Sequence, residues 1–174
     1  MSAATITALG PSDFVAAADE LGELLAAVVN AGASVGFLRP LSMEDAAAWW
    51  RSIAGDVRSG HVIVLVARID DRLAGTVQLR PARMPNQTHR ADIAKVLVHP
   101  ALRRRGIGAA LMSAVEHEAR RRGRSLLVLD TETGSDGDSF YAALGWMRVG
   151  EVPGYALDAD GIARPTTILY KELS

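Results

Sequence analysis

The chain has 174 residues, a formal net charge of −1 and no cysteine. That length fits one domain over residues 1–174 with a substantial core, the charge leaves no global basic footprint for nucleic acid, and the missing thiols exclude disulfides, a cysteine nucleophile and thiolate metal sites, as suits a reducing cytoplasm. Aromatic residues make up 5% of the chain, too few for a stacking platform on single strands, and no apolar run approaches the ~20 residues of a membrane span, so neither nucleic acid nor membrane is an expected partner.

Ala4–Leu9 reads as a weak strand. Pro11 starts a long helix to about Asn30, with Phe14, Ala17, Ala18, Leu21, Leu24, Leu25 and Val28 on one face and Gly32 as its stop. Residues 31–37 form a loop. Ser42-x-x-Asp45 has the pattern of a capping box before a second helix, which runs through Trp49 and Trp50 to about Ser59. His61–Arg68 is a nearly continuous β-branched run, hence a buried strand. Asp70-Asp71 turns the chain, and Leu73–Arg80 returns as an antiparallel neighbour. Pro85-Asn86-Gln87 marks a longer connection before a strand over Arg90–Val98. A helix over Gly106–Arg122 buries Ile107, Ala110, Leu111, Ala114 and Val115 and stops at Gly123. Leu126–Asp130 is a central strand, Ser139–Leu144 a short helix ending at Gly145, and Trp146–Val152 and Thr166–Lys171 are two closing strands. The final strand offers an edge that could support a homodimer.

The segment Val96-Leu-Val-His-Pro-Ala-Leu-Arg103-Arg-Arg-Gly106-Ile-Gly108-Ala-Ala-Leu111 carries the strongest chemical signal. A strand stops at Pro100, an arginine-rich turn follows, and a helix begins. The first N–H groups of a helix have no partner inside it and lie at its positive end, so this turn is suited to an anion such as pyrophosphate. A P-loop would continue Gly-Lys-Ser/Thr, and a dinucleotide fold would place a third glycine where Leu111 stands. The residues match Arg-x-x-Gly-x-Gly instead.

This motif, together with the strand before it and the helix after it, resembles the acyl-CoA pyrophosphate loop of the GCN5-related N-acetyltransferases. The resemblance implies an α/β (α+β) fold: a central mixed, mostly antiparallel sheet flanked by helices, whose parallel central strands splay apart to hold acetyl-CoA. Arg103, Arg104, Arg105, Gly106, Ile107, Gly108 and Ala109 would then bind the pyrophosphate, Leu97 N–H would face the thioester carbonyl, and Val98 would pair with the pantetheine. No metal is implied. Ala31-Gly-Ala-Ser-Val-Gly-Phe37, Arg90-Ala-Asp92, Leu129-Asp130-Thr-Glu-Thr-Gly-Ser135, Arg148–Tyr155 and Asp160–Lys171 are similar to the tabtoxin-resistance type of acetyltransferase. That likeness implies a small amino-acid-like amine, such as a β-lactam-bearing toxin, as acceptor.

Amine acetylation needs a proton acceptor for the ammonium, a donor for the developing oxyanion and an acid near the departing thiolate. Asp92, at the head of the strand leading into the loop, is one candidate base; its alternative is a strand-end carboxylate paired with Arg90 or Lys95. Asp130, at the C-terminal end of an apolar strand, is the other. It either takes the proton, holds the substrate ammonium, or caps the following turn. Tyr141, in Phe140-Tyr-Ala-Ala-Leu-Gly-Trp146, occupies the place of the family's general acid; otherwise its ring is core and its hydroxyl wet. Phe37 and Tyr155 are loop aromatics expected at the substrate mouth. His61, His89, His99 and His117 show no metal spacing. A peptide amine as acceptor, or an acyl-CoA-binding module without chemistry, are the competing functions.

Overall fold

In the computed structural model, which describes residues 4–174, the apolar periodicities become one sheet with helices on both faces. In chain order the elements are β1 (Thr5–Ala8), α1 (Pro11–Ala16), α2 (Ala18–Asn30), α3 (Met43–Ser52), α4 (Ala54–Arg58), β2 (Ile63–Ile69), β3 (Arg72–Pro81), β4 (Arg90–Val98), α5 (Ile107–Arg121), β5 (Leu126–Glu132), α6 (Asp136–Ala143), β6 (Met147–Leu157) and β7 (Ala163–Glu172). The seven strands lie in the order β1-β2-β3-β4-β5-β7-β6. Among the described residues β4 and β5 are the only parallel neighbours; every other pair is antiparallel. This is the mixed, mostly antiparallel architecture expected from the sequence.

Side-chain alternation sorts the core into two layers. Val62, just before β2, and Val64 and Val66 within it pack under α1–α4, while Ile63, Leu65 and Ala67 pack on the face that carries α5 and α6. Both faces of β2 are therefore covered, which is why its sequence is continuously apolar instead of alternating. Phe14, Ala17, Ala18, Leu21, Leu24, Leu25 and Val28 are all buried, as their spacing predicts. The helix that carries them is interrupted at Ala17 (φ −85°, ψ 0°) without losing that face. The second helix also divides, at Ile53 (φ −94°, ψ 6°). There the Ser52 hydroxyl donates to the Trp49 carbonyl at 2.6 Å, taking an acceptor from the helical ladder. Its start is as expected: Ser42 Oγ accepts from Asp45 N–H at 3.0 Å.

The last two strands extend beyond the predicted segments. Asp158 accepts from the Asp160 and Ile162 amides (2.9 and 3.0 Å) and from Arg164 Nε (2.8 Å), which closes a β6–β7 hairpin. Pro153 and Gly154 lie where the register slips between Val152 and Ala156, and this bulge hid the strand's continuation in the sequence. β7 sits between β5 and β6, so β6 is the sheet edge and not the final strand as expected.

Burial predicts where the fold is brittle. Leu127, fully buried in β5, should cost about 2–5 kcal/mol on substitution to alanine. Leu157→Ala, at a residue 50% exposed on β6, should stay within about 0.5 kcal/mol of the parent. Urea unfolding of both variants measures the difference.

Candidate active site

β4 and β5 are hydrogen-bonded at their first residues and then part. Their register contains Arg90–Leu126, Ala91–Leu127 and Asp92–Val128 and ends there, although β4 continues to Val98 and β5 to Glu132. The wedge beyond Asp92 leaves one backbone edge of β4 without a strand partner.

The direction of the amides on that edge follows from register. Leu97 lies opposite Thr76 of β3, and His99 N–H donates to Ala74 C=O on β3 at 2.9 Å. Amides point to alternate sides along a strand. Leu97 N–H therefore faces β3 together with that of His99, while the amides of Val96 and Val98 face the wedge. The expectation for Leu97 is corrected on this ground: its side chain is core, 1% exposed, and its amide is turned away from the wedge.

The loop after β4 makes a 3₁₀ turn over Pro100–Leu102, stabilised by His99 Nδ1, which accepts from Ala101 N–H at 3.3 Å. Arg104 (φ 59°) and Gly106 (φ 77°) then take left-handed backbone conformations that bring the chain into α5. Only glycine holds such an angle without a Cβ penalty, and Gly106 is the N-cap. No side chain caps α5, and its first internal bond runs from Ala110 N–H to Gly106 C=O at 3.0 Å. The amides of Ile107, Gly108 and Ala109 precede that bond and open outward at the positive end of the helix. Arg103, Arg104 and Arg105 are exposed around them, with Arg104 4.0 Å from Asp136 at the start of α6.

Asp92 and Asp130 share one face of the sheet. Ala91, Ile93, Leu127 and Leu129 pack against α5 and α6, so the alternate residues Asp92 and Asp130 face the α1–α4 side. Asp92 lies at the last paired position before the wedge and 3.9 Å from Arg90 Nη1. The Asp130 carboxyl is raised above the usual range because the surrounding protein desolvates it; Lys95 opposes that shift and Asp92 adds to it. Tyr141 comes from the other face. It is 8% exposed, with its ring edge-on to Phe140 and Trp146 at 5.1 and 6.1 Å. Burial and the negative charge of Asp130 push its phenol well above the ordinary tyrosine range, so it keeps its proton. Two carboxylates thus flank the wedge from one side and a protonated phenol from the other.

Phe37 meets the same cleft from the α2–α3 loop, edge-on to Trp49 at 5.2 Å. The loop is anchored at several points. Asn30 exchanges two 2.9 Å hydrogen bonds with the backbone of Leu41. Arg39 grips Asp160 on the β6–β7 hairpin through Nε and Nη2 (2.6 and 2.7 Å), and Arg39 N–H donates to Ala159 C=O (2.9 Å). Tyr155 is 55% exposed in the β6 bulge and makes no ring contact or hydrogen bond with Phe37, Asp130 or Tyr141. Among the described residues no cluster of His, Asp and Glu could hold a metal, and no helix is long and apolar enough to cross a membrane.

The family model for the GNAT acetyltransferases matches residues 21–146, a span that takes in most of α2, the sheet centre, the arginine loop and Tyr141. The chain belongs to the GNAT family. It is 35% identical over 104 residues to an uncharacterized N-acetyltransferase of the hisH-hisA intergenic region of Azospirillum brasilense, a match that spans 59% of this chain and 60% of that relative. The fold is shared with an N-acetyltransferase from Staphylococcus aureus Mu50 (TM-score 0.79, 15% identity, 99% of this chain and 100% of that one). It is also shared with a putative acetyltransferase from Salmonella typhimurium solved with acetyl-CoA as its cofactor (TM-score 0.76, 22% identity, 99% and 95%). A putative phosphinothricin N-acetyltransferase has the same fold (TM-score 0.77, 20% identity, 99% and 99%).

Beyond the residues legible in sequence, this GNAT chain brings Lys95 into the cleft. β4 carries a bulge: Thr76 pairs with Leu97 but Gln78 pairs with Ala94, and Lys95 takes a left-handed angle (φ 50°). The bulge turns its ammonium onto the α1–α4 side, 5.4 Å from the Phe37 ring centre and 5.1 Å from that of Trp49. Nζ donates to Val35 C=O at 2.9 Å. A signal was present: the core positions on the α5 face run 91, 93 and then 96, 98, a change of parity around one charge.

Burial lowers the Lys95 ammonium from 10.5 to about 8, with Arg80 adding to the drop and Asp130 opposing it. Between those values the unfolded chain holds a proton that the folded chain releases, so stability should rise with pH from about 8 to about 10.5. Lys95→Met should flatten that slope in urea midpoints measured across the interval.

Proposed function

We propose that the chain transfers an acetyl group from acetyl-CoA to the primary amine of a small amino-acid-like acceptor. The observation that carries this reading is the wedge between β4 and β5, flanked by an arginine-rich helix start at one end and by Asp92, Asp130 and Tyr141 along its sides.

The residues present fit acetyl-CoA. Unpaired amides at Ile107, Gly108 and Ala109, with Arg103, Arg104 and Arg105 beside them, suit a pyrophosphate. The open edge of β4 suits the amides of a pantetheine arm, which add to it like a strand. When bound, acetyl-CoA supplies an acyl carbon activated as a thioester. The remaining work falls to the chain. Val96 and Val98 N–H are oriented to donate to oxygen in the wedge, where a fixed donor is worth more than in water. Asp130 is the stronger candidate for taking the amine proton, because desolvation makes it a better base than an ordinary aspartate. Asp92, at the mouth of the wedge on the same face, adds negative charge that favours a cationic amine. Tyr141 acts as a donor and never as a base, since its phenol stays protonated. A phenol held above the range of a thiol stabilises a departing thiolate through a hydrogen bond more readily than by giving up its proton outright.

The amino-acid-like acceptor rests on the similarity of the loop segments to tabtoxin-resistance acetyltransferases, segments that include Phe37 on the α2–α3 loop, Asp130 two residues before the end of β5, and Asp160 at the hairpin that anchors that loop.

Thiol release from acetyl-CoA, measured over a panel of β-lactam amino acids, plain amino acids, aminoglycosides, polyamines and a lysine peptide, tests the reading. Stimulation by the amino-acid-like group is the expected result. Asp130→Asn should lower kcat by roughly 10²- to 10⁴-fold with acetyl-CoA affinity unchanged in calorimetry. Arg103→Glu should weaken acetyl-CoA binding by roughly tenfold. Tight binding with no turnover on any amine would leave a binding module.

A further inference from the structure

Lys95 has no place in acetyl transfer as derived above, yet the fold bears three costs to keep it where it is. Its backbone is left-handed (φ 50°), a strained conformation for a residue that carries a Cβ. Its ammonium is partly removed from water. And it is a lone cation set into an apolar run of β4. A leucine or methionine at a regular strand position would avoid all three, so stability alone does not account for this residue.

The geometry gives the charge a setting of its own. The rings of Phe37 and Trp49 flank Nζ at 5.4 and 5.1 Å. Gly36, held at a left-handed φ of 91° that favours glycine, brings the loop backbone close to Nζ. One of the three ammonium donors is used by Val35 C=O at 2.9 Å, and no carboxylate forms an ion pair with the group among the described residues. Asp130 faces it electrostatically on the same side of the sheet without touching it. The acceptor side of the wedge therefore holds Lys95 with spare donors, Arg80 opposite Asp92 with its Nε and Nη2 engaged by Gln78 Oε1 (2.9 and 2.6 Å), and the carboxylates of Asp92 and Asp130, which suit an ammonium. That is the charge pattern of a zwitterion.

We propose that Lys95 determines acceptor specificity by binding a carboxylate that the acceptor carries close to its amine, while Asp130 and Asp92 receive the amine end. The inference rests on the transferase reading above and narrows it. The same cation works against competitors: a polyamine or an aminoglycoside brings further positive charge toward Lys95 and is repelled. Phe37 and Trp49 hold the ammonium at the height of the cleft, so Lys95 is a binding residue on the acceptor side and takes no part in the proton transfers.

The test pairs substrate charge with residue charge. Amino acids from the panel are compared with their own carboxamides and with the corresponding decarboxylated amines, in the parent protein, Lys95→Gln and Lys95→Arg, by initial rates of thiol release. The parent should favour the carboxylate form by roughly 10- to 100-fold in kcat/KM. Lys95→Gln should lose that preference by slowing the carboxylate form alone, and Lys95→Arg should restore part of it. Thermal melts check that each variant is folded. Should Lys95→Gln not fold, the carboxylate-to-carboxamide ratio in the parent decides the matter. A merely structural Lys95 would lower all acceptors together and leave the ratio intact, which overturns the inference. Turnover of carboxamides or polyamines at rates equal to the carboxylates overturns it too, while leaving the transferase standing. No acetylation of any amine overturns both.

Discussion

The separation of two parallel strands is the constraint on which the rest of this molecule depends. β4 and β5 share a register of three residue pairs and then diverge. A buried amide without a partner costs roughly 1–3 kcal/mol, so a sheet opened at its centre is tolerable only where water or a ligand reaches the exposed edge. The rest of the architecture holds the gap open. β3 secures the far side of β4, β7 pairs with β5 along its whole length, and α5 crosses beneath with Ile107, Leu111 and Val115 in the core. The gap is thus a rigid feature of the sheet, and the helix that follows β4 opens its unpaired amides at one end of it.

The two faces of the sheet divide the chemistry. Alternation sends Asp92 and Asp130 to one side and leaves Tyr141, from α6, on the other. Groups that must differ in proton affinity are thereby given different surroundings. Asp130 is desolvated but retains Lys95 as a moderating charge, whereas Tyr141 is sealed among Phe140 and Trp146 and is pushed further up by Asp130. A better base and a firmer phenol arise from one arrangement, because the negative charge that opposes ionisation of the tyrosine sits on the carboxylate proposed to take the proton.

Much of this was legible in the chain itself. The α/β order, the arginine turn, the core face of the first helix and the Ser42 cap follow from periodicity and local hydrogen-bonding chemistry, which act over a few residues. One local feature escaped, and the others depend on pairing between distant strands. The division at Ile53 turns on a serine hydroxyl competing for one carbonyl. The true extent of β6 was hidden by the bulge around Pro153, and the placement of β7 between β5 and β6 is a matter of topology with no local mark. The Leu97 amide went astray for the same reason: which side of a strand an N–H faces is set by the partner register, and the bulge at Lys95 shifts that register by one residue. Lys95 itself was visible as a charge in an apolar run, but its destination required knowing that the strand slips there.

The loop that carries Phe37 is tied down mostly at its margins. Asn30 holds its base through Leu41, and Arg39 fixes it to Asp160 across on the hairpin. None of those anchors belongs to the arginine turn or to the amide edge of β4. Replacement of residues 31–38 would therefore change the surroundings of Lys95 while the arginine turn and the start of α5 are left as they were. A lineage carrying this fold has a module that can drift at little risk to the turn and the open strand edge on the other side of the wedge.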